Sequence, residues 1–253
     1  MSPDDAPRSL VDRAYDAIKS AVIQCALEPG ESVTEEQLAA RFSVGRAAVR
    51  AALKRLCQEK LVEIGQRQRY VVAPLTLRHV NELFALRTLL EPAAARLAAG
   101  RIDAEHLRRL DELCQARYVV GDAESARAFL RLNTEFHTTV VRASGNDLLA
   151  DTLVAIFEKV ERVHHLGHLL RDRNEQAFHE HHDLVEALVD GDAERAYDIT
   201  ARQIEDARRF AIDALLASPS VQAVNVAPGA RVGLLTAQDP GSRLVLTQST
   251  SDR

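Results

Sequence analysis

The chain has 253 residues, of which 46% are hydrophobic and 27% charged, and a formal net charge of −5. This composition excludes a collagen-like or wholly disordered chain, and the length predicts one or two domains. No segment approaches the ~18 uncharged apolar residues that a membrane helix requires, and the N-terminus lacks the features of a secretory signal. The three cysteines are odd in number and widely spaced, which is typical of a protein in a reducing cytoplasm.

The charge is distributed unevenly along the chain. Residues 8–75 hold 11 basic and 8 acidic side chains, whereas residues 76–215 hold 18 basic and 25 acidic ones. The net negative charge of the whole chain argues against nucleic-acid binding. However, the two segments have net charges of opposite sign, which indicates that they have different functions. We therefore expect a basic domain over 8–75 and an acidic domain over 76–216. Residues 217–253 show little periodicity and many Ser, Pro and Gly residues, which predicts a disordered tail.

The basic segment has the sequence pattern of helices followed by a hairpin. Apolar residues at a spacing of three and four predict the helices, and Pro29-Gly30 marks a turn. Thr34 and Gln37 have the spacing of a capping box, and Ser43-Val44-Gly45 forms a tight turn before the third helix. This order of elements predicts a winged helix-turn-helix. The predicted helices cover residues 10–26, 35–42 and 46–60, and the predicted strands cover 61–64 and 69–72.

Four arginines occupy the positions that DNA contacts require. Arg46 and Arg50 lie four residues apart at the start of the third helix and therefore share one face. An arginine there can bind guanine or phosphate with two hydrogen bonds. Arg67 and Arg69 lie in or beside the hairpin tip, where they suit phosphate or minor-groove contacts. We expect DNA binding, and the alternative is a solvated basic face on a small helical domain.

The acidic segment is predicted to be entirely helical. Its short polar breaks are typical of an antiparallel bundle, and Asp103, Asp122 and Asp192 are suitable N-caps. The expected fold class is therefore mainly α, with an N-terminal winged helix-turn-helix and a C-terminal all-helical antiparallel bundle of six to seven helices. The predicted bundle helices cover residues 77–99, 103–119, 123–143, 146–170, 174–190 and 193–216.

Three segments resemble a known family. Residues 42–53, Phe-Ser-Val-Gly-Arg-Ala-Ala-Val-Arg-Ala-Ala-Leu, resemble the recognition motif of GntR regulators. Residues 87–92, Arg-Thr-Leu-Leu-Glu-Pro, resemble the opening of the helical FCD ligand-sensing domain, and residues 180–196 resemble its closing signature. The resemblance extends over residues 8–216. It implies a GntR regulator of the FadR subfamily, which is a homodimer with two winged heads and two sensor bundles.

The recognition motif departs from the family pattern at several positions. Ser43 and Gly45 exchange the family's Gly and Ser, and Ala47 replaces a threonine hydroxyl. Arg69 stands where the hairpin of the family usually carries a glycine. The residues expected to contact DNA are Thr34, Ser43, Gly45, Arg46, Ala47, Arg50, Arg67 and Arg69.

The resemblance also implies a polar pocket inside the bundle. Asn133 and His137 are four residues apart on one helix face, and they correspond with His181 and Gln203 to a set that binds one divalent metal in many FCD domains. Two imidazoles and two amides lack an anionic ligand, so a site for Zn, Ni, Mn or Fe is expected to be weakened. The expected metal ligands are Asn133, His137 and His181. The alternatives are a metal-free pocket in which these residues bind the effector directly, and ordinary buried polar groups.

Arg87 matches an arginine that projects into the pocket in the family. A guanidinium at that place suits an anionic ligand, and the alternative is an exposed helix arginine. His164 and His168 are also four residues apart, but a second metal pair is less expected than surface histidines. The residues expected to bind the effector are Arg87, Asn133, His137, His181 and Gln203.

Together these features predict a cytoplasmic transcriptional repressor that responds to a small organic acid. A homodimer with two heads favours an inverted-repeat operator on double-stranded DNA, since the half-sites mirror the symmetry of the protein. The rival hypothesis is a metal-dependent enzyme built on the bundle. It is weaker because amides at positions 133 and 203 are poor general bases and poor partners for an activated water.

Overall fold

The computed structural model describes residues 9–65, 69–114, 118–168 and 174–217. This part of the chain is mostly helical with one small sheet, so the predicted fold class is confirmed. The predicted contact residue Arg67 and all but the first residue of the predicted tail lie outside the described residues. No helix among the described residues is long and apolar enough to cross a membrane.

Residues 9–73, here called the head, contain three helices and a three-stranded sheet among the residues described. Its core contains the fully buried side chains of Ile18, Val49 and Leu53, which come from the first and third helices. The elements are α1 (Leu10–Ile23), β1 (Ser32–Val33), α2 (Glu35–Phe42), α3 (Arg46–Gln58), β2 (Val62–Ile64) and β3 (Tyr70–Val72).

The capping signals in the head set the directions of its helices. The Thr34 hydroxyl accepts from the Gln37 amide and the Gln37 side chain accepts from the Thr34 amide, so the predicted capping box is confirmed. Helix α2 ends at Phe42, and its C-cap Ser43 has a φ of 52°, which lies in the left-handed region. This conformation turns the chain sharply into α3, which begins after Gly45.

Two predictions for the head are wrong in detail. Helix α1 ends at Ile23 rather than at residue 26, because Cys25 adopts a φ of 54° and the Leu27 amide donates back to the Ala21 carbonyl. The sheet also has a third strand, β1, which lies at one edge in the antiparallel order β1-β3-β2. A strand of two residues is too short for any periodicity to reveal it.

Residues 77–217, here called the bundle, contain six helices in the part that the structure describes. Helix α4 packs along α9 and also contacts α6 and α7, so it lies at the centre of the bundle. The elements are α4 (Leu77–Ala98), α5 (Ala104–Cys114), α6 (Ala123–Arg142), α7 (Asp147–His168), α8 (Asn174–Val189) and α9 (Ala193–Ala217).

The predicted caps of the bundle are present, but one helix is shorter than predicted. Asp103, Asp122 and Asp192 each accept hydrogen bonds from backbone amides in the first turn that follows. Residues 118 and 119 are not helical, although the pattern predicted a helix to 119. There the Val119 amide donates to the Ser125 hydroxyl at 2.9 Å, and the Tyr118 ring packs against the Phe129 ring, with 5.2 Å between ring centroids.

Helix α7 also contacts the head. The Lys19 ammonium lies 2.9 Å from the Glu158 carboxylate and 3.1 Å from Glu59. Burial alone would lower the pKa of Lys19, but its hydrogen bonds with Glu158 and Tyr15 raise that pKa above its ordinary value. One turn further along α7, the Cys25 thiol donates to the Arg162 carbonyl at 3.4 Å. These contacts join α1 and the residues just after it to helix α7 of the bundle.

Candidate functional site

The first turn of α3 presents its polar side chains to solvent. Arg46, Ala47 and Arg50 are exposed, whereas Ala48 and Val49 face the core of the head. Arg46 forms no ion pair with any residue that the structure describes. Its guanidinium is therefore available to a partner in solution.

Arg50 differs from Arg46 because it is held by a carboxylate. Its Nε and Nη2 groups donate to the two oxygens of Glu35, each at 2.8 Å. The hydrogen bond from Arg50 holds the pKa of Glu35 below its ordinary value. This pair joins the first turn of α2 to α3 and fixes the position of the Arg50 guanidinium on the exposed face. The pairing was not anticipated from the sequence, because the two residues are 15 positions apart.

The hairpin brings further exposed groups beside the helices. Arg69 is exposed just before β3, and Ile64 at the end of β2 is 77% exposed. Ser43 and Gly45 are exposed in the turn between α2 and α3, and Thr34 is half-buried because its hydroxyl caps α2. The described residues of the predicted DNA-contact set thus lie at four places in the head: the N-cap of α2, the turn between α2 and α3, the start of α3 and the hairpin.

A second candidate site is a cavity inside the bundle. It has a volume of about 50 Å³, which is room for a few waters or a very small ligand in its present shape. Its walls are α4, α6, α7, α8 and α9, and Phe129, Leu130 and Val160 form part of its apolar lining. All five residues that were selected as effector ligands line it, namely Arg87, Asn133, His137, His181 and Gln203.

Arg87 is buried and paired. Its side chain is 6% exposed, and its Nε and Nη2 groups donate to the Glu91 carboxylate at 2.8 and 3.2 Å. The Glu91 carboxylate also lies 3.4 Å from Nδ1 of His137. The alternative of an exposed helix arginine is therefore wrong. The positive charge that we expected to meet an anionic ligand is already largely balanced by Glu91.

Two of the histidines that line the cavity, His137 and His181, are oriented by aromatic contacts. The His181 ring stacks on Phe136 with centroids 4.2 Å apart, and the His137 ring meets His181 edge-on with centroids 5.3 Å apart. His137 also lies 6.0 Å from the Phe157 ring. The imidazoles are thus fixed within an aromatic and apolar frame.

The residues of this cavity do not fit a tight metal site. Within the described part of the chain, no group of three or more His, Cys, Asp or Glu side chains is arranged to hold a metal ion. The two amide side chains of the expected set, Asn133 and Gln203, offer oxygens that first-row transition metals bind poorly. The weakened metal site that the sequence predicted is therefore not confirmed.

Sequence reasoning missed three residues of the cavity region. Glu91 holds Arg87 and His137, and its spacing of four from Arg87 was the available signal. Glu161 and His164 line the cavity from α7, so the expectation that His164 is a surface histidine is wrong. His165, the next residue, is only 5% exposed and faces a different cleft.

Helix α7 presents one side to the cavity and an adjacent side to the head. Phe157 and His164 line the cavity, while Glu158 pairs with Lys19 of the head. Arg162 donates from Nη2 to the carbonyl of Ala73, the residue that follows the hairpin. Any ligand that displaces α7 therefore acts directly on residues that hold the head.

The comparisons with known proteins match both parts of the chain. The profile of the family described as bacterial regulatory proteins, gntR family, matches residues 10–72, and that of the FCD domain matches residues 82–206. The Nta operon transcriptional regulator of Aminobacter aminovorans is 30% identical over 162 residues, covering 58% of this chain and 77% of that protein. The chain belongs to the GntR family. It is a transcriptional regulator with an FCD domain, and this family consists of DNA-binding proteins rather than enzymes.

Further transcriptional regulators and solved structures are similar to this chain. The transcriptional repressor RspR of Escherichia coli is 25% identical over 198 residues, which cover 77% of this chain and 87% of RspR. Among solved structures, Escherichia coli McbR/YncC aligns with a TM-score of 0.71 at 21% identity, covering 82% of this chain and 99% of that one. A GntR-type regulator from Rhodococcus sp. RHA1 aligns with a TM-score of 0.66. At these identities the structural likeness shows the fold alone.

Proposed function

We propose that this GntR regulator is a repressor whose head binds an inverted-repeat operator on double-stranded DNA and whose bundle cavity binds a small metabolite. The observation that carries the proposal is that helix α7 lines the cavity and also holds the head. A ligand in the cavity shifts the population of head positions and so changes operator affinity. The site of action of such a regulator is the cytoplasm.

The DNA contacts of the proposal rest on the start of α3. Arg46 enters the major groove and binds a base or a phosphate, while Arg50, positioned by Glu35, contacts the backbone. Arg67 and Arg69 of the hairpin add phosphate or minor-groove contacts. Ser43, Gly45 and Ala47 let the turn and the first helical turn approach the duplex closely, and Thr34 keeps α2 in place.

We propose a small polar effector for the cavity, in the class of organic acids. The Nη1 group of Arg87 forms no hydrogen bond with any residue that the structure describes, so it can still bind a carboxylate. His137, His181, Asn133 and Gln203 supply further polar groups. Because Glu91 balances Arg87, a single carboxylate suits the cavity better than a more highly charged ligand. The volume of about 50 Å³ requires the cavity to expand on binding.

An apolar stripe on α4 supports the proposal of a homodimer. Leu86, Leu89 and Leu97 are 46%, 72% and 41% exposed and fall on one helix face. A row of exposed leucines is typical of a surface that is covered in an assembly. A second copy of the chain that buries this row would bring two heads into one particle, as binding to an inverted repeat requires.

Binding to the promoter of the protein's own gene tests the proposal. We expect specific binding that weakens steeply as salt concentration rises, because lysines and arginines displace counterions from phosphates. Indifference to that DNA at low salt would contradict the proposal. A thermal-shift screen of small carboxylic acids, followed by operator binding with each acid that raises the melting temperature, then tests the effector.

A further inference from the structure

An open cleft lies beside the effector cavity, where the bundle meets the head. Its volume is about 450 Å³, compared with about 50 Å³ for the effector cavity. One wall is the outer face of α6 between Glu124 and Thr134, which at 1.5 Å per residue is about 15 Å long. Gln24, at the end of α1, contributes the head side of the cleft. The cleft therefore has room for a small molecule and touches both parts of the protein.

Two arginines in the middle of the α6 wall lack partners. Arg127 and Arg131 both line the cleft and are exposed, and neither forms an ion pair or hydrogen bond with any residue in the described ranges. By contrast, Arg142 on the same helix pairs with Asp151 at 2.8 Å. Guanidiniums four residues apart on a helix lie close enough to bind the same carboxylate or phosphate group.

The α7 wall contributes a buried imidazole with an open hydrogen-bonding position. His165 is 5% exposed, and its Nε2 atom is buried without a hydrogen bond to any described residue. The nearest acidic atom is Oε1 of Glu161, at 3.4 Å. A buried polar atom that makes no hydrogen bond destabilises the fold, and a bound ligand or its water would supply that hydrogen bond beside the Glu161 contact.

The inner end of the cleft is a wall shared with the effector cavity. Thr134 and Glu161 line both spaces, and the Thr134 hydroxyl lies 3.4 Å from a Glu161 oxygen. The Glu161 carboxylate repels a second anion at this end. An anionic group in the cleft is therefore directed to Arg127 and Arg131, one or two helical turns away.

We propose that this cleft is a second small-molecule site, which binds a carboxylate or phosphate group between Arg127 and Arg131. An occupant bridges the α6 wall of the bundle and Gln24 of the head. It also contacts the wall of the effector cavity, so the two sites influence each other. The evidence for this second site does not depend on ligand binding in the effector cavity, because neither arginine lines that cavity.

Calorimetric titration tests whether the cleft binds anions. The ligands are inorganic phosphate and malonate, and sodium chloride at equal ionic strength is the reference. The cleft variant is R127Q/R131Q, and the control is R195Q/R202Q, which removes two exposed arginines of α9. We expect the wild type and the control to bind at least one of the two anions, and the cleft variant to bind it roughly tenfold more weakly or not at all. Ala128→Trp, which fills the cleft and keeps both arginines, should also abolish binding.

The outcomes separate the two ligand classes. Binding of phosphate alone supports a phosphorylated ligand, binding of malonate alone supports a carboxylic acid, and binding of both supports a site for either group. Absence of binding to the wild type would overturn the proposal, as would equal binding by the wild type, the control and the cleft variant. Circular dichroism of all four proteins shows whether they are folded, which is expected because every substituted residue is exposed.

Discussion

Arg162 of the bundle donates a hydrogen bond of 2.7 Å to the carbonyl of Ala73 in the head. The arginine is 3% exposed, and it has no carboxylate partner among the residues that the structure describes. Burial lowers the pKa of Arg162 below its ordinary value. A buried, unpaired cation is costly. Its presence at the junction indicates that the contact with Ala73 serves the connection between head and bundle rather than stability.

Arg162→Met should distinguish a role of Arg162 in the connection between head and bundle from a role in stability. Methionine is of similar length and removes the buried charge, so we expect the unfolding midpoint to stay the same or rise. The segment 73–76 should lose its restraint, so its backbone amides should exchange hydrogen faster. Hydrogen exchange followed by mass spectrometry measures this, with Arg142→Met on the surface as control. Unchanged exchange at 73–76 would show that other contacts hold the connection.

Arg46→Ala should weaken operator binding. If Arg46 contacts a base, the variant loses ~1–3 kcal/mol of binding free energy for the operator. Its affinity for unrelated DNA should stay the same. Arg78→Ala, which removes an exposed arginine of the bundle, should bind like the wild type. Fluorescence anisotropy measures the affinity of each of the two variants for operator DNA and for unrelated DNA. Wild-type affinity of the Arg46 variant would show that α3 does not read the operator.

Glu91→Gln should destabilise the bundle strongly. It removes the carboxylate that accepts two hydrogen bonds from Arg87, and both side chains are nearly inaccessible to solvent. A buried guanidinium without its partner costs about 3–5 kcal/mol. Urea unfolding measures the loss. The double variant Arg87→Met/Glu91→Leu should recover most of it, and failure to recover would mean that the charges are not the cause.

Gly167→Ala should destabilise the packing of α7 on α9. Alanine favours a helix by up to about 1 kcal/mol over glycine, which by itself predicts stabilisation. However, a Cβ at position 167 would lie 2.5 and 2.8 Å from two ring carbons of Phe210. Overpacking of this kind costs about 1–3 kcal/mol, so we expect a net loss in thermal unfolding. The double variant with Phe210→Leu should reverse the sign, and a stabilised single variant would show that α9 moves freely.

Asp111→Asn should raise stability, and more so at higher pH. Burial raises the pKa of Asp111, against the opposing effect of His182, and its Oδ1 atom has no hydrogen bond among the described residues. The folded protein therefore loses stability as pH rises from the unfolded pKa of 3.8 through the raised folded pKa, whereas asparagine does not titrate. Urea unfolding at pH 4 and pH 8 measures the difference. The exposed Asp183→Asn is the control, and a gain independent of pH would contradict the prediction.

Short-range patterns in the sequence were enough to predict the order of elements in the head and the helices of the bundle. The capping box at Thr34, the turn at Ser43 and the caps at Asp103 and Asp122 act within three or four residues, so the sequence exposes them directly. The uneven charge likewise pointed to a basic head that binds DNA. The short strand β1 could not be predicted, because two residues carry no periodicity.

Only the tertiary structure decided how the charged side chains are used. Arg50 and Glu35 pair across 15 positions, and the burial of Arg87 with Glu91 depends on the helices that surround α4. The contact between Arg162 and Ala73 spans 89 positions. Such partners are brought together by helix packing, whose geometry is set by the whole core and not by any local pattern. For the same reason, the sequence identified the five cavity residues but not the Glu91 carboxylate that balances their charge.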